Sequence, residues 1–232
     1  MKIKLFADGA NQAEMLRFYK HPLVRGFTTN PTLMRQANVA DYEAFAKQVL
    51  RLIPDRPISF EVFSDELDEM ESQAFRIASW GPNVVVKIPV TNTRGVSTSP
   101  IVRTLAAKGV TANVTAVMTQ GQMETAFAAL ENCRAGYVSI FAGRIADTGR
   151  DPLPTICQAV GYARKHGKVE VIWASPREIL NVFQAESVGC HVITMTSNLF
   201  EKLDCVGRDL EEFSLDTVRM FRRDALSACY AI

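Results

Sequence analysis

The sequence predicts a single (β/α)8 barrel of parallel strands, on three observations. Short apolar, β-rich runs alternate with helical patterns along the chain. Eight such runs in 232 residues give 232/8 = 29 residues per repeat, the length of one strand–helix unit. Several runs are nearly continuous in apolar residues, as in strands covered on both faces. An open doubly wound sheet is the alternative, but no Gly-x-Gly-x-x-Gly follows the first strand to support it.

The strands are expected at 3–7, 24–29, 57–63, 83–88, 110–115, 136–141, 169–174 and 190–195. Helical periodicity fills the intervals. Leu67, Met70, Ala74 and Ile77 recur at three and four within 65–79, after acidic residues suited to a helix start. Met123, Ala126, Phe127 and Leu130 mark 121–131. Segment 152–166 ends in Arg-Lys-His-Gly, cations and then a stop glycine. Segment 176–186 is expected to open with Pro176 at its first position. A short helical piece at 197–203 and a long amphipathic one at 208–229 follow the eighth strand. The chain is therefore read as a barrel domain, 1–207, and a helical extension, 208–232, that packs on the barrel or on a neighbouring subunit.

Composition narrows the function. Lysines and arginines number 26 against 25 acids, a net charge of +1, so no global field recruits nucleic acid or an anionic membrane. The five cysteines, Cys133, Cys157, Cys190, Cys205 and Cys229, are scattered without a Cys-x-x-Cys pair, which fits a reducing compartment. No apolar run reaches about 18 residues, and the start lacks a signal-peptide core. A soluble cytoplasmic protein is expected. His21, His166 and His191 lie far apart with no ligand spacing, so no metal is expected, and with no P-loop and no Gly-x-Gly-x-x-Gly after the first strand no cofactor is expected.

Barrel enzymes carry their chemistry at the C-terminal ends of the strands. Here those ends supply Asp8, Asn30, Glu61, Lys87, Asn113 with Thr115, Phe141 with Arg144, and Ser175 with Arg177. Lys87 closes Val84-Val85-Val86-Lys87-Ile88-Pro89. Turned into the barrel, it loses hydration, which favours the neutral amine and frees it to attack a carbonyl. Turned outward, it is a lysine that reaches for water. Glu61 lies between Phe60 and Val62, where a carboxylate needs a partner. It either positions a water for dehydration chemistry or forms a structural ion pair, with Lys87 itself a candidate. Asp8 is either the N-cap of the next helix or a proton-transfer carboxylate. Asn30 precedes Pro31, first of all a turn signal. Asn113 and Thr115 alternate onto one strand face and suit substrate hydroxyls. Arg144, Ser175 and Arg177 have the chemistry of a phosphate clamp, two guanidiniums and a hydroxyl.

Together these motifs resemble those of the small transaldolase family, which also contains fructose-6-phosphate aldolase. The matching segments are Asp8-Gly9-Ala10-Asn11, Gly26-Phe27-Thr28-Thr29-Asn30-Pro31, Val84-Val85-Val86-Lys87-Ile88-Pro89, Thr111-Ala112-Asn113-Val114-Thr115, Tyr137-Val138-Ser139-Ile140-Phe141-Ala142-Gly143-Arg144 and Ala174-Ser175. They keep the family's order and span about 200 residues. The resemblance implies a metal-free enzyme that forms a Schiff base on Lys87. Asp8 would transfer the proton, and Glu61 with Thr115 would handle the catalytic water. Asn30 and Asn113 would hold donor hydroxyls; Arg144, Ser175 and Arg177 would hold a phosphate. It implies phosphorylated sugar substrates and a homo-oligomer, a pentamer or a decamer. Glu61 and Phe141 are of the transaldolase type, where the aldolase branch has Gln and Tyr. The expected activity is transfer of a dihydroxyacetone unit between sugar phosphates. The alternatives are an aldolase releasing free dihydroxyacetone or acting on an unusual sugar, and a non-catalytic sugar-phosphate-binding relative. Gly9, Ile140 and the polar loop 91–100 depart from the family pattern. All three are expected near the barrel mouth.

Overall fold

Eight parallel strands pair in chain order, and the first closes on the last, so the sheet has no edge. The computed structural model describes residues 2–230; Met1, Ala231 and Ile232, at the outer ends of the two expected segments, lie outside the described residues. The strands are β1 (Lys4–Asp8), β2 (Val24–Thr28), β3 (Ile58–Glu61), β4 (Val84–Pro89), β5 (Ala112–Val117), β6 (Gly136–Ile140), β7 (Val169–Trp173) and β8 (Val192–Met195). The helices are α1 (Gln12–Tyr19), α2 (Pro31–Gln36), α3 (Tyr42–Leu52), α4 (Leu67–Ala78), α5 (Ser99–Ala107), α6 (Gln120–Ala129), α7 (Ala142–Ala146), α8 (Leu153–His166), α9 (Leu180–Ser187), α10 (Ser197–Glu201) and α11 (Leu210–Ser227). All eight expected strands are present, each with at least one end displaced by one or two residues. No helix among the described residues is long and apolar enough to cross a membrane.

Local chemistry sets the helix starts. Asn11, not Asp8, caps α1 by accepting from the Glu14 N–H. Asn30 caps α2 by accepting from the Leu33 N–H, with Pro31 at the first turn. Thr119 and Gln122 form a reciprocal capping box on α6. The helix expected at 176–186 begins later, at Leu180. Ser175 adopts a left-handed φ of 60°, and the Arg177 and Glu178 N–H groups donate to Asn181 Oδ1, so this stretch forms a turn ahead of the helix. The loop after β4 is shorter than expected. Thr91 bridges Ser97 in a tight hairpin, and Ser99 and Pro100 already belong to α5.

Strand side chains alternate between two environments. Outward residues such as Ile58, Phe60, Val86, Ile88, Val138 and Ile140 join the helices in one continuous core. Inside the barrel, Phe6, Ile172 and Val192 form a separate apolar floor with Tyr137 against it. Gly26 makes room for that floor, since a Cβ there would stand 2.6 Å from the Phe6 ring. Two residues further along their strands, Asp8, Ala174 and Thr194 face the open C-terminal end. Helix α11 buries none of its residues, and Leu210, Phe213, Val218, Phe221 and Leu226 are all exposed along it.

Candidate active site

The C-terminal mouth of the barrel opens into a cleft of about 450 Å³, a size usual for a small-molecule site. Its lining takes residues from most strands, because inward side chains at the last level of each strand converge there. Asp8, Asn30, Glu61, Lys87, Thr115, Phe141, Arg144, Ser175 and Arg177 all line it. Asn113 does not. It is fully buried one level lower, donating to Ser59 Oγ (3.3 Å) and accepting from Ser139 Oγ (2.8 Å).

Lys87 is turned inward and is 6% exposed. The β3–β4 register sets Glu61 directly beside it. Its Nζ lies 3.0 Å from Glu61 Oε2 and donates to the Thr29 carbonyl at 2.9 Å. Of the two readings of Glu61, an ion pair with Lys87 is present, and the carboxylate still fronts the cleft. The Glu61 carbonyl in turn accepts from the Tyr42 hydroxyl (3.0 Å), which anchors the end of β3 to α3.

Asp8 caps no helix and accepts from Thr28 Oγ1 at 2.7 Å. Burial pushes its carboxyl above the ordinary carboxylate range; the Lys87 ammonium and the Thr28 hydroxyl act in the opposite direction. A carboxylate held this way is suited to taking up a proton.

Thr115 Oγ1 is buried, lines the cleft and has no hydrogen-bond partner among the described groups. Such a group is costly unless something entering the cleft engages it. Ala116, next along, has a left-handed φ of 61°, and the β5–β6 register shifts between Val114 and Val117. A non-glycine residue in that region stores strain of order 1–2 kcal/mol. The irregularity falls where Thr115 meets the cleft.

The rim is cationic. Arg144, on the short helix α7, is exposed and makes no ion pair among the described residues. Arg177 instead engages Asp147 through two N–H donors, with Nε to Oδ1 at 3.0 Å. The two arginines expected to act alike are therefore unequal: one is free, the other half committed. Between them Gly143 packs so close to the turn after β7 that an added Cβ would stand 1.6 Å from the Ser175 carbonyl oxygen.

Sequence reasoning missed Thr28, Ser139 and Thr194, which also line the cleft. The available signal was period two: each stands two residues from an interior apolar or glycine position, Gly26, Tyr137 or Val192. Conversely, the three departures from the family pattern do not line the cleft. Ile140 alternates outward into the main core; Gly9 directly follows the lining residue Asp8 at the mouth but, like the 91–97 hairpin, is not itself part of the lining.

Comparisons with known proteins agree with this architecture. A solved structure described as "Native KDPGal structure" superposes with a TM-score of 0.56 at 14% identity, covering 96% of each chain. The "Crystal structure of KGPDC from Streptococcus mutans" gives 0.58 at 11% identity, covering 87% of this chain and 90% of that one. At such identities the likeness concerns the fold alone. "Probable transaldolase 2" of Listeria monocytogenes is 37% identical over 204 residues, 87% of this chain and 88% of the relative. "Probable transaldolase" of Dehalococcoides mccartyi is 36% identical over 196 residues, 83% and 86% of the two chains. Barrel, cleft and relatives define an aldolase-type enzyme. The family model described as Transaldolase/Fructose-6-phosphate aldolase matches residues 5–232, and the chain belongs to that family.

Proposed function

We propose that the protein is a transaldolase that moves a dihydroxyacetone unit from a ketose phosphate, such as fructose 6-phosphate or sedoheptulose 7-phosphate, to an aldose phosphate. The observation that carries the reading is Lys87: a buried amine lining the cleft, 3.0 Å from one carboxylate and facing a second, in a member of this family.

In this reading Lys87, having passed its proton to a neighbouring base, adds to the substrate ketone and gives a carbinolamine. Glu61 and Thr115 manage the water lost as the iminium forms. Asp8 takes the C4 hydroxyl proton as the C3–C4 bond breaks, and the bond electrons pass into the iminium to give an enamine on Lys87. The aldehyde fragment leaves. The enamine carbon then attacks an acceptor aldehyde such as erythrose 4-phosphate, and hydrolysis frees the lysine. The iminium is the electron sink, so the sequence of steps is complete without a metal. Asn30 offers its amide N–H groups to donor hydroxyls, its Oδ1 being taken by the helix cap. Arg144 and Ser175 bind the phosphate, with Arg177 as an outer cation. Phe141 offers no hydroxyl to protonate the enamine, which supports transfer over release of free dihydroxyacetone.

We also propose a homo-oligomer, pentameric or decameric, in which the apolar residues of α11 are covered by a second copy. A cytoplasmic setting is supported by five free cysteines.

Turnover of fructose 6-phosphate with and without erythrose 4-phosphate tests the transfer reading; efficient cleavage with no acceptor assigns the protein to the aldolase branch instead. Borohydride trapping with peptide mapping tests the chemistry, and absence of a substrate-dependent adduct on Lys87 overturns it.

A further inference from the structure

Asp8 is joined to a hydroxyl pair that the steps above do not use. The strands flanking β1 each send one threonine inward, Thr28 from β2 and Thr194 from β8. Both are buried, at 2% and 5% exposure, and their Oγ1 atoms are 2.5 Å apart. Thr28 Oγ1 also lies 2.7 Å from Asp8 Oδ1. A hydroxyl carries one proton and accepts through two lone pairs. With Asp8 ionised, Thr28 must give its proton to the carboxylate, so the short contact to Thr194 requires Thr194 to donate to Thr28. The chain therefore has one direction: Thr194 to Thr28 to Asp8.

We propose that Thr194 is a positioning residue for Asp8, acting through Thr28 to hold the ionised carboxylate ready to accept the substrate proton. This rests on the transaldolase reading for its catalytic meaning, though the hydrogen-bond chain stands on geometry alone. Packing does not account for the hydroxyl. A valine fills the same volume, and the next interior residue down β8 is Val192. A donor aimed at a hydroxyl that itself donates to a carboxylate strengthens that second bond by polarising it. The same pair also suits the protonated state. Once Asp8 has taken a proton it becomes the donor, Thr28 turns to accept from it, and Thr28 gives its own proton to Thr194. Neither state requires a heavy atom to move.

The charged groups that face Asp8 are Lys87 from β4 and Glu61 from β3, with Arg144 and Arg177 at the rim. Helix α1, which follows β1 and packs against β2, turns Glu14 and Arg17 to solvent. The flanking strands thus bring only these two hydroxyls to the carboxylate, and no ionisable group there competes with them.

The test is a pH titration of the Asp8 carboxyl by infrared difference spectroscopy, its band assigned by its loss in Asp8→Asn. It is run on wild type, Thr194→Val, Thr194→Ser and Thr28→Val, alongside the acid limb of kcat/KM. The bond to the ionised carboxylate is charge-assisted and stronger than the one made in the protonated state, so removing the hydroxyl disfavours the carboxylate and both midpoints move to higher pH: about one unit for Thr28→Val and a few tenths for Thr194→Val. Thr194→Ser keeps the hydroxyl and stays at the wild-type midpoint. A midpoint in Thr194→Val equal to wild type overturns the proposal, as does a Thr194→Ser midpoint shifted as far as that of Thr194→Val. Where Thr194→Val fails to fold, Thr194→Ala serves. If wild type turns over no ketose phosphate, the transaldolase reading fails, and the infrared midpoints still decide the hydrogen-bond chain.

Discussion

The interior of the barrel changes character along its axis. At the floor, Phe6, Ile172 and Val192 pack with Tyr137 and leave little to solvent. One strand period higher, the same strands carry Asp8, Ala174, Thr194 and Ser139, and their neighbours add Glu61, Lys87 and Thr115. The same strands run through both levels, but the second level carries mostly polar and charged groups where the first is apolar. Burial that stabilises the floor opposes charge at the mouth, where each ionised group must be held by a neighbour. The floor thus supplies rigidity, and the mouth gives up stability for reactive groups.

Substitutions at the two levels should separate these roles. The largest effect is expected for Lys87→Met, which removes the amine while keeping most of its bulk. Activity and the borohydride adduct fall to background. Glu61 is then left without its cation, so the variant also loses stability, which Lys87→Met/Glu61→Gln recovers in denaturant melts without recovering activity.

Next is Gly143→Ala. Its Cβ collides with the Ser175 carbonyl, so α7 must shift and carry Arg144 with it. A displacement near 1 Å is expected to cost about 10²-fold in kcat/KM, read with phosphorylated substrates. If kcat/KM is unchanged, α7 does not position the phosphate.

At the floor, Phe6→Ala is expected to cost about 3–5 kcal/mol in urea unfolding, from lost burial and the cavity left behind. Its folded fraction still forms the Lys87 adduct. Loss of adduct on folded protein would mean that floor and mouth are not separable.

The smallest effect is a gain. The fold raises the Asp8 carboxyl above its ordinary range, so ionising it costs stability. That cost is absent below the unfolded-state value and grows as pH rises through the folded one. Asp8→Asn escapes it. A modest rise in Tm over wild type is expected at neutral pH, closing as the pH falls below the ordinary carboxylate range. An equal gap at all pH values would assign the gain to something other than the charge.

Much of this organisation was legible in the residues. The eight strands followed from apolar runs and their spacing, because a strand covered on both faces needs little else to be recognised. Lys87 and Glu61 stood out because each interrupts such a run. The family motifs then gave their order a meaning. Asn113 shows the limit: period two correctly set it on the Thr115 face, yet could not say that it sits one level too deep to meet the cleft. The arginine pair shows another. Arg144 and Arg177 read alike as residues, but only Arg177 pairs with Asp147. The start of α9 was displaced because Ser175 takes a left-handed backbone that its side chain does not announce.

The sequence by itself determined the barrel and the strand end near which each functional group stands, because these depend on apolar runs, their spacing and the motifs that close them; it left open which way Lys87 turns. Tertiary structure alone decided which groups meet. The Lys87–Glu61 contact depends on the register of β3 against β4, and the Thr194–Thr28–Asp8 chain on closure of β8 against β1. Both join residues far apart in sequence at separations of 3 Å or less. Such distances are set by how the sheet closes, and no local pattern in the chain encodes them.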